Sequence, residues 1–322
     1  MSDTNDTLNQ NQDSNNFQGT DGYPAKPIMI EKNENSMARS ITSLLIYFIL
    51  FYFLFDRNIA YIAAILLVII IHEMGHLLAM KVFKYSNVKI FILPLIGALT
   101  SGTKQIVSQL QLSIIILAGP LPGIIIACML YYVNQNLNNE TLKMLANSFL
   151  FINLFNLIPI FPLDGGRLLE TLFFKQNYYI RLIFGVISII FLSVLFIYAR
   201  NPIMLIVPVL MCIDLLNESK NEKIRNYLES ENINYHQAYN SISNKEYWLI
   251  RDCLIFSFAK KYAMIKPGDY QFSIVEPIIM QHVNNVLQIN LVNDLNIFKR
   301  ILVLLIYLAS IIIPLILFSL HL

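Results

Sequence analysis

Charge is scarce in this chain. Asp, Glu, Lys and Arg make up 14% of its 322 residues, against about 25% in an ordinary globular domain. So little charge cannot keep a whole surface in water, which excludes a wholly soluble fold. The balance of signs is also small, +2 at pH 7, so there is no basic face for nucleic acid. Cysteine is limited to Cys128, Cys212 and Cys253, far apart and with the first two in apolar runs. Neither a disulfide frame nor a thiolate metal site is expected from them. There is no internal repeat, no glycine-rich phosphate loop and no nucleophile elbow. Residues 1–36 have no apolar core region and do not read as a signal peptide.

What the chain has instead is apolar length. It is 56% hydrophobic, with a mean hydropathy of +0.56. These values predict an all-α polytopic membrane protein with six or seven transmembrane helices. Spans are expected at about Ser40–Phe55, Ile59–Met80, Leu110–Val133, from Leu145, Leu182–Ala199, Pro202–Leu216 and Ile301–Leu320. Val88 to Leu99 is β-branched and aromatic, broken by Pro94 and Gly97, and too short to span as a helix. It reads as a hairpin or re-entrant β-like segment. Four regions result: a disordered polar tail over 1–36, a transmembrane core over 37–216, a small polar region over 217–298, and a C-terminal transmembrane helix over 299–322.

One span holds a cluster of ionisable residues. Ile59 to Ile71 carries no charge, and then comes His72-Glu73-Met74-Gly75-His76. On a helix His72 and His76 are i and i+4, so their imidazoles share a face and can hold one metal ion. Glu73 is one position on and can reach a water at that metal. Zinc hydrolases use this arrangement: the histidines fix the ion, the ion acidifies water and the glutamate takes its proton. A lone histidine in an apolar helix is ordinarily a satisfied core residue; two at metal spacing with a glutamate between them call for another explanation. Ionisable groups at bilayer depth are costly and mark function by default.

Zinc in a hydrolase takes three protein ligands, so one is still to be found. Asp164 is the first candidate. It ends an apolar run in which Pro159 and Pro162 remove backbone donors and should unwind the helix. Asp214, near a span end, is the second. His236 and His282 lie in the polar region and are expected to be exposed; His321 is at the C-terminus.

His72-Glu73-Met74-Gly75-His76, Asn156-Leu157-Ile158-Pro159 and Leu163-Asp164-Gly165 together resemble the site-2 protease family of intramembrane zinc metalloproteases. That family carries H-E-x-x-H on one membrane helix and N-x-x-P-x-x-x-L-D-G on a later one. Ala118-Gly119-Pro120 resembles the family's A-G-P segment. The likeness covers roughly residues 60–175. It implies one zinc ion on His72, His76 and Asp164, Glu73 as general base, and Asn156 near the scissile peptide. It also implies hydrolysis of membrane-spanning substrates, such as a single-span protein or a signal-peptide-like segment; the charge distribution along the chain puts the cut near the cytoplasmic face. The β-like segment could hold the unwound substrate by adding a strand. No PDZ-like or CBS-like insert is visible.

Three other readings compete. A membrane-anchored zincin would carry its motif outside the apolar runs. An ion or proton transporter explains the charges but not the metal-ligand spacing. An inactive receptor of the same fold would have no use for Glu73. The segments flanking the motif helices hold Lys81, Lys84, Lys89, Lys104, Arg167, Lys175 and Arg181, whereas the opposite loops hold Arg57, Lys143 and Arg200. The positive-inside rule then puts the N-terminus and the polar region in the cytoplasm, as in a protein of the bacterial cell membrane.

Overall fold

Asn58 opens the first helix among the described residues: its side-chain oxygen accepts from the Tyr61 amide at 3.1 Å. The helix, α1, then runs over Ile59–Val82 with no proline and, until Glu73, no charge. The computed structural model describes residues 22–29, 58–93, 97–104, 106–174, 177–200, 202–259, 261–288 and 290–319. They fall into two compact units. One takes in 34–215 and 291–322, the other 1–33 and 216–290.

In the first unit the chain leaves α1 through Lys84, which has a φ of 60°, and turns into β1 (Ser86–Leu93) and β2 (Gly97–Thr103). These pair antiparallel, Ile90 opposite Thr100 and Leu93 opposite Gly97. The β-like segment is therefore a hairpin; Pro94 to Ile96, at its turn, lie outside the described residues. A short strand, β3 (Ile106–Ser108), leads into α2 (Gln109–Ala118) and α3 (Pro120–Leu137). The break between these helices falls at Gly119-Pro120, where Pro120 has no amide to donate. Next comes α4 (Glu140–Asn156), whose N-cap Asn139 accepts from Thr141 and Leu142. After α4 the backbone unwinds through Pro159 and Pro162, as those prolines require, and α5 (Asp164–Leu169) starts on Asp164. The Tyr307 hydroxyl donates to one carbonyl freed at the break, that of Leu157, at 2.7 Å.

A π-helical turn (Glu170–Phe174), α6 (Tyr178–Tyr198), a 3-10 turn (Pro202–Leu205) and α7 (Ile206–Ser230) follow. After the second unit come β4 (Asn290–Val292) and α10 (Ile297–Ser319). Among the described residues four helical stretches are long and apolar enough to cross a membrane: α1, α2 with α3, α6 and α10. The chain is an integral membrane protein. The expected span at Ser40–Phe55 lies outside the described residues. The expected fourth span is α4, whose 17 residues make about 26 Å at 1.5 Å per residue. The expected sixth is the front of α7, which runs on through Asp214 and Glu218 into the charged sequence.

Val68, Ala127, Phe149 and Leu150 form one buried cluster, drawn from α1, α3 and α4. Leu117, Leu157, Leu168, Val303 and Tyr307 belong to a second. The Asp294 carboxylate accepts from the Ser108 hydroxyl at 2.6 Å and the Leu110 amide at 3.1 Å. These bonds tie Asp294 into the membrane unit, which takes in residues 291–322.

The second unit contains α7 from residue 216 on, a 3-10 turn (Tyr239–Ser241), α8 (Asn244–Ser257) and α9 (Glu276–Val286). Ser243 and Glu246 form a capping box at the start of α8. Tyr247, Trp248, Leu254, Ile279 and Val283 are fully buried in its core. Arg251, also buried, reaches both oxygens of Glu276 at 2.9 and 3.0 Å. Residues 22–29 fall within the stretch expected to be a disordered tail, yet they are part of this unit: Trp248 and Tyr239 bond to their backbone.

Candidate metal centre

The i, i+4 spacing on α1 brings His72 Nε2 within 3.1 Å of His76 Nε2. The unwound segment after α4 delivers Asp164 to the same place. Asp164 Oδ2 lies 3.0 Å from His72 Nε2 and 3.3 Å from His76 Nε2. The two histidines, Glu73 and Asp164 are each at most 8% exposed.

The far side of each imidazole decides what the near side is. His76 Nδ1 is 2.8 Å from the Ile115 carbonyl oxygen. A carbonyl only accepts, so Nδ1 carries the hydrogen and Nε2 is a bare lone pair. His72 Nδ1 is 2.9 Å from Asn153 Oδ1. That amide is oriented by its own Nδ2, which donates to the Phe149 carbonyl at 2.7 Å, so His72 also keeps its hydrogen on Nδ1. Two nitrogen lone pairs and a carboxylate oxygen thus converge on one point inside the protein. Asp164 Oδ2 is buried without a hydrogen-bond partner. Three such acceptors would repel one another unless a cation stood between them. Separations of 3.0, 3.1 and 3.3 Å are close to the edge of a tetrahedron with bonds of about 2.0–2.1 Å, roughly 3.3 Å. The donor set therefore fits a zinc ion.

Glu73 stands beside this triangle: one ring nitrogen each of His72 and His76 and one carboxylate oxygen of Glu73 lie within 4.8 Å of one another. Its Oε2 accepts from the Thr100 hydroxyl at 2.7 Å, which ties the carboxylate to β2.

Two glycines make room for the site. A Cβ on Gly119 would stand 2.3 Å from His76 Nε2, and one on Gly123 would stand 2.1 Å from Asn153 Nδ2. The interruption between α2 and α3, with the first turn of α3, is thus the wall against which the His76 imidazole and the Asn153 amide that supports His72 sit.

Of the residues singled out in the sequence, His72, Glu73, His76 and Asp164 come together. Asn156 is half-buried one turn below Asn153, with its Nδ2 donating to the Ile152 carbonyl at 3.1 Å. Asp214 is exposed on α7. His236 is exposed as expected, whereas His282 is half-buried because its Nδ1 meets the Tyr262 hydroxyl at 2.7 Å. Desolvation there, helped by the Lys261 charge, pulls its pKa below the usual histidine value. His321 lies outside the described residues. The sequence reading missed Asn153 and Thr100. Asn153 sits three positions before Asn156 in the same motif helix, a spacing that faces one side of a helix; nothing local marks Thr100.

Residues 60–139 match peptidase family M50. The motif-bearing segment is thus similar to that family, in line with the resemblance its motifs carry. A zinc metalloprotease of Methanocaldococcus jannaschii is 34% identical over 118 residues, which are 35% of this chain and 34% of that protein. Stage IV sporulation protein FB of Bacillus subtilis is 35% identical over 118 residues, 35% of this chain and 40% of that protein. The chain thus spans about two fifths or less of the length of these curated relatives. A solved site-2 protease from Methanocaldococcus jannaschii superposes with a TM-score of 0.42 at 25% identity, covering 56% of this chain and 88% of the other.

Proposed function

We propose that this M50 chain is a zinc-dependent intramembrane endopeptidase that hydrolyses peptide bonds of membrane-spanning substrates near the cytoplasmic face. The observation that carries the reading is the convergence of His72 Nε2, His76 Nε2 and Asp164 Oδ2, all three presenting lone pairs inside an apolar helix assembly. His72, His76 and Asp164 hold one zinc ion per chain. Zinc held there supplies Lewis acidity to water and to a peptide carbonyl. Glu73 accepts the proton from the attacking water and returns it to the leaving amine. The Thr100 hydroxyl keeps the Glu73 carboxylate aimed for that transfer. Asn156 steadies the substrate carbonyl; only one hydrogen of its amide is spent on Ile152, and the second is left to donate.

A helical substrate has its own carbonyls bonded, so it must unwind before it is cut. The hairpin β1–β2 is a two-stranded sheet, and an unwound single-span or signal-peptide-like segment can extend it as a further strand.

Charge and chain connectivity support the six- or seven-span architecture and the orientation. Residues 22–29 and 216–290 build one folded unit, so both lie on the same side of the membrane. The chain between them must cross an even number of times. Three of the four candidate helices, α1, α2 with α3, and α6, lie in that interval. At least one more crossing is needed, and α4, the front of α7 and the apolar run 40–55 are available. Six crossings before the polar unit, with α10 as the seventh, satisfy the count. The lysines and arginines beside the motif helices support an N-terminus and polar unit in the cytoplasm of a bacterial cell.

The test compares membrane peptides from cells with the wild-type chain and with Glu73→Gln. A substrate remnant present only with wild type, while the variant keeps its zinc, supports the assignment. Equal turnover by Glu73→Gln would remove Glu73 from the mechanism.

A further inference from the structure

The polar unit binds a peptide, and that peptide is its own chain. Residues 24–27 read Pro24-Ala25-Lys26-Pro27 and carry no helix. The groove that holds them recognises three features. Trp248 Nε1–H donates to the Pro24 carbonyl at 2.8 Å and the Tyr239 hydroxyl donates to the Pro27 carbonyl at 2.8 Å. The two acceptors are three residues apart. In a polyproline II segment, with three residues per turn, such carbonyls return to the same side. Between them the Lys26 amide donates to Asn244 Oδ1 at 3.0 Å. Aromatic side chains that read the carbonyls of a Pro-x-x-Pro segment are the usual way an extended proline ligand is held.

The lysine is read separately. Its ammonium donates to the carbonyl oxygens of Tyr239, Asn240 and Ile242 at 2.8, 3.1 and 2.5 Å. It also lies 5.4 Å from the centroid of the Tyr239 ring. An ammonium has three donors pointing from one atom, which this cup of carbonyls matches; a planar guanidinium distributes its donors along a fork and does not. Tyr23, edge-on to Tyr270 at 5.1 Å between ring centroids, extends the contact at one end.

Nothing in these contacts needs the covalent link. Side chains of the groove meet the backbone of the segment, and the two are more than 210 positions apart in the chain. We propose that residues 216–290 form a peptide-recognition module for extended Pro-x-Lys-Pro segments, with residues 24–27 of the same chain as its resident ligand. Tethering makes binding of the resident ligand intramolecular. A foreign segment of the same chemistry must therefore compete with it, and can do so only when the resident is displaced. The inference is independent of the protease reading, since it concerns only the polar unit.

The experiment uses the full chain in detergent, a variant lacking residues 2–29, the full-length Lys26→Ala variant, and a dye-labelled synthetic peptide of residues 21–31. Trp248 is the only tryptophan, so its emission reports both folding of the polar unit and occupancy of the groove. The labelled peptide should bind the shortened chain saturably and quench or shift Trp248. It should bind wild type at least tenfold more weakly, because the groove is filled. Peptides with Lys26→Ala or Lys26→Arg should bind the shortened chain at least tenfold more weakly than the parent. Equal binding of the parent and Lys26→Ala peptides would overturn the proposal, as would no binding to a folded shortened chain. Should the shortened chain fail to fold, the full-length Lys26→Ala variant decides. Its weakened resident should yield to the parent peptide at concentrations that leave wild type unlabelled, and equal labelling of the two, or none of either, refutes the module.

Discussion

Asn153→Leu should weaken zinc binding without touching a zinc ligand. In the native site Asn153 Oδ1 accepts the His72 Nδ1 hydrogen at 2.9 Å, and both residues are at most 5% exposed. Leucine has nearly the same bulk but accepts nothing. His72 is then left with two options. It can keep a buried N–H without a partner, at a cost of about 1–3 kcal/mol. Or it can move the hydrogen to Nε2 and cease to be a ligand. Loss of an outer-shell partner to a metal-bound histidine typically weakens metal affinity by about 10- to 100-fold. That is about 1.4–2.7 kcal/mol, so the hydrogen-bond cost and the metal-affinity figure agree. The assay is competition for zinc between the detergent-solubilised protein and a chromophoric chelator. Gly123→Ala should reproduce the loss, because its Cβ would stand 2.1 Å from the Asn153 amide nitrogen. Zinc affinity within twofold of wild type for Asn153→Leu, in an assay where Asp164→Asn clearly loses zinc, would refute the reasoning.

The same titration should separate two carboxylates: Asp164→Asn loses zinc, whereas Asp214→Asn, on an exposed position of α7, does not. Thr100→Val removes a hydrogen bond to a carboxylate worth about 1.5–3 kcal/mol, and turnover should fall about 10- to 150-fold with zinc content unchanged. Thr100→Ser, which keeps the hydroxyl, should restore most of the rate; if valine and serine behave alike, the hydroxyl is not what positions Glu73. Asn156→Ala should cut turnover about 10²- to 10³-fold, as loss of an oxyanion donor does, and combined loss of expression would instead mark it as a packing residue. Glu276→Gln leaves Arg251 buried beside a neutral amide, and breaking a buried pair in this way costs about 3–5 kcal/mol. Melting of the polar unit, followed by Trp248 emission, should drop accordingly, and an unchanged melt would show that the pair is not needed for its stability.

How much of this was legible in the sequence depended on the range of the interaction. The i, i+4 histidines and their glutamate could be found because helix geometry turns a spacing into a shared face. Asp164 could be found because two prolines announce an unwound segment, and a carboxylate at the end of an apolar run needs a reason to be there. The residues that support them were hidden. Thr100 reaches Glu73 only through the hairpin, across 27 positions, and a threonine in a strand looks like any other. Asn153 reaches His72 across 81 positions. The Gly119-Pro120 pair stood out as part of a family-like segment, but its purpose did not: whether a glycine is spared for a bend or for a neighbour's imidazole is decided by what packs against it.

The N-terminal segment failed to be read for a different reason. Its composition is polar, and polarity predicts disorder when a segment must find its own core. Residues 23–29 do not need one, because they borrow the aromatic groove of residues 239–272. The borrowed core then constrains the membrane unit from outside it. A segment before the first span and a unit after the last internal span can share a core only if both emerge on one side, so the hydrogen bond from Trp248 to Pro24 supports an even number of crossings between them. Parity reached in this way makes no use of the charge distribution. It agrees with the positive-inside count, and the two would disagree if either α4 or the front of α7 were removed from the list of crossings without the other. Single-cysteine labelling in a background lacking Cys128, Cys212 and Cys253 tests both at once. An impermeant reagent on intact cells should modify a cysteine at Asn138 and spare one at Tyr85 or Asn244. Labelling at Tyr85 would invert the orientation, and labelling at Asn244 but not at Tyr85 would break the parity.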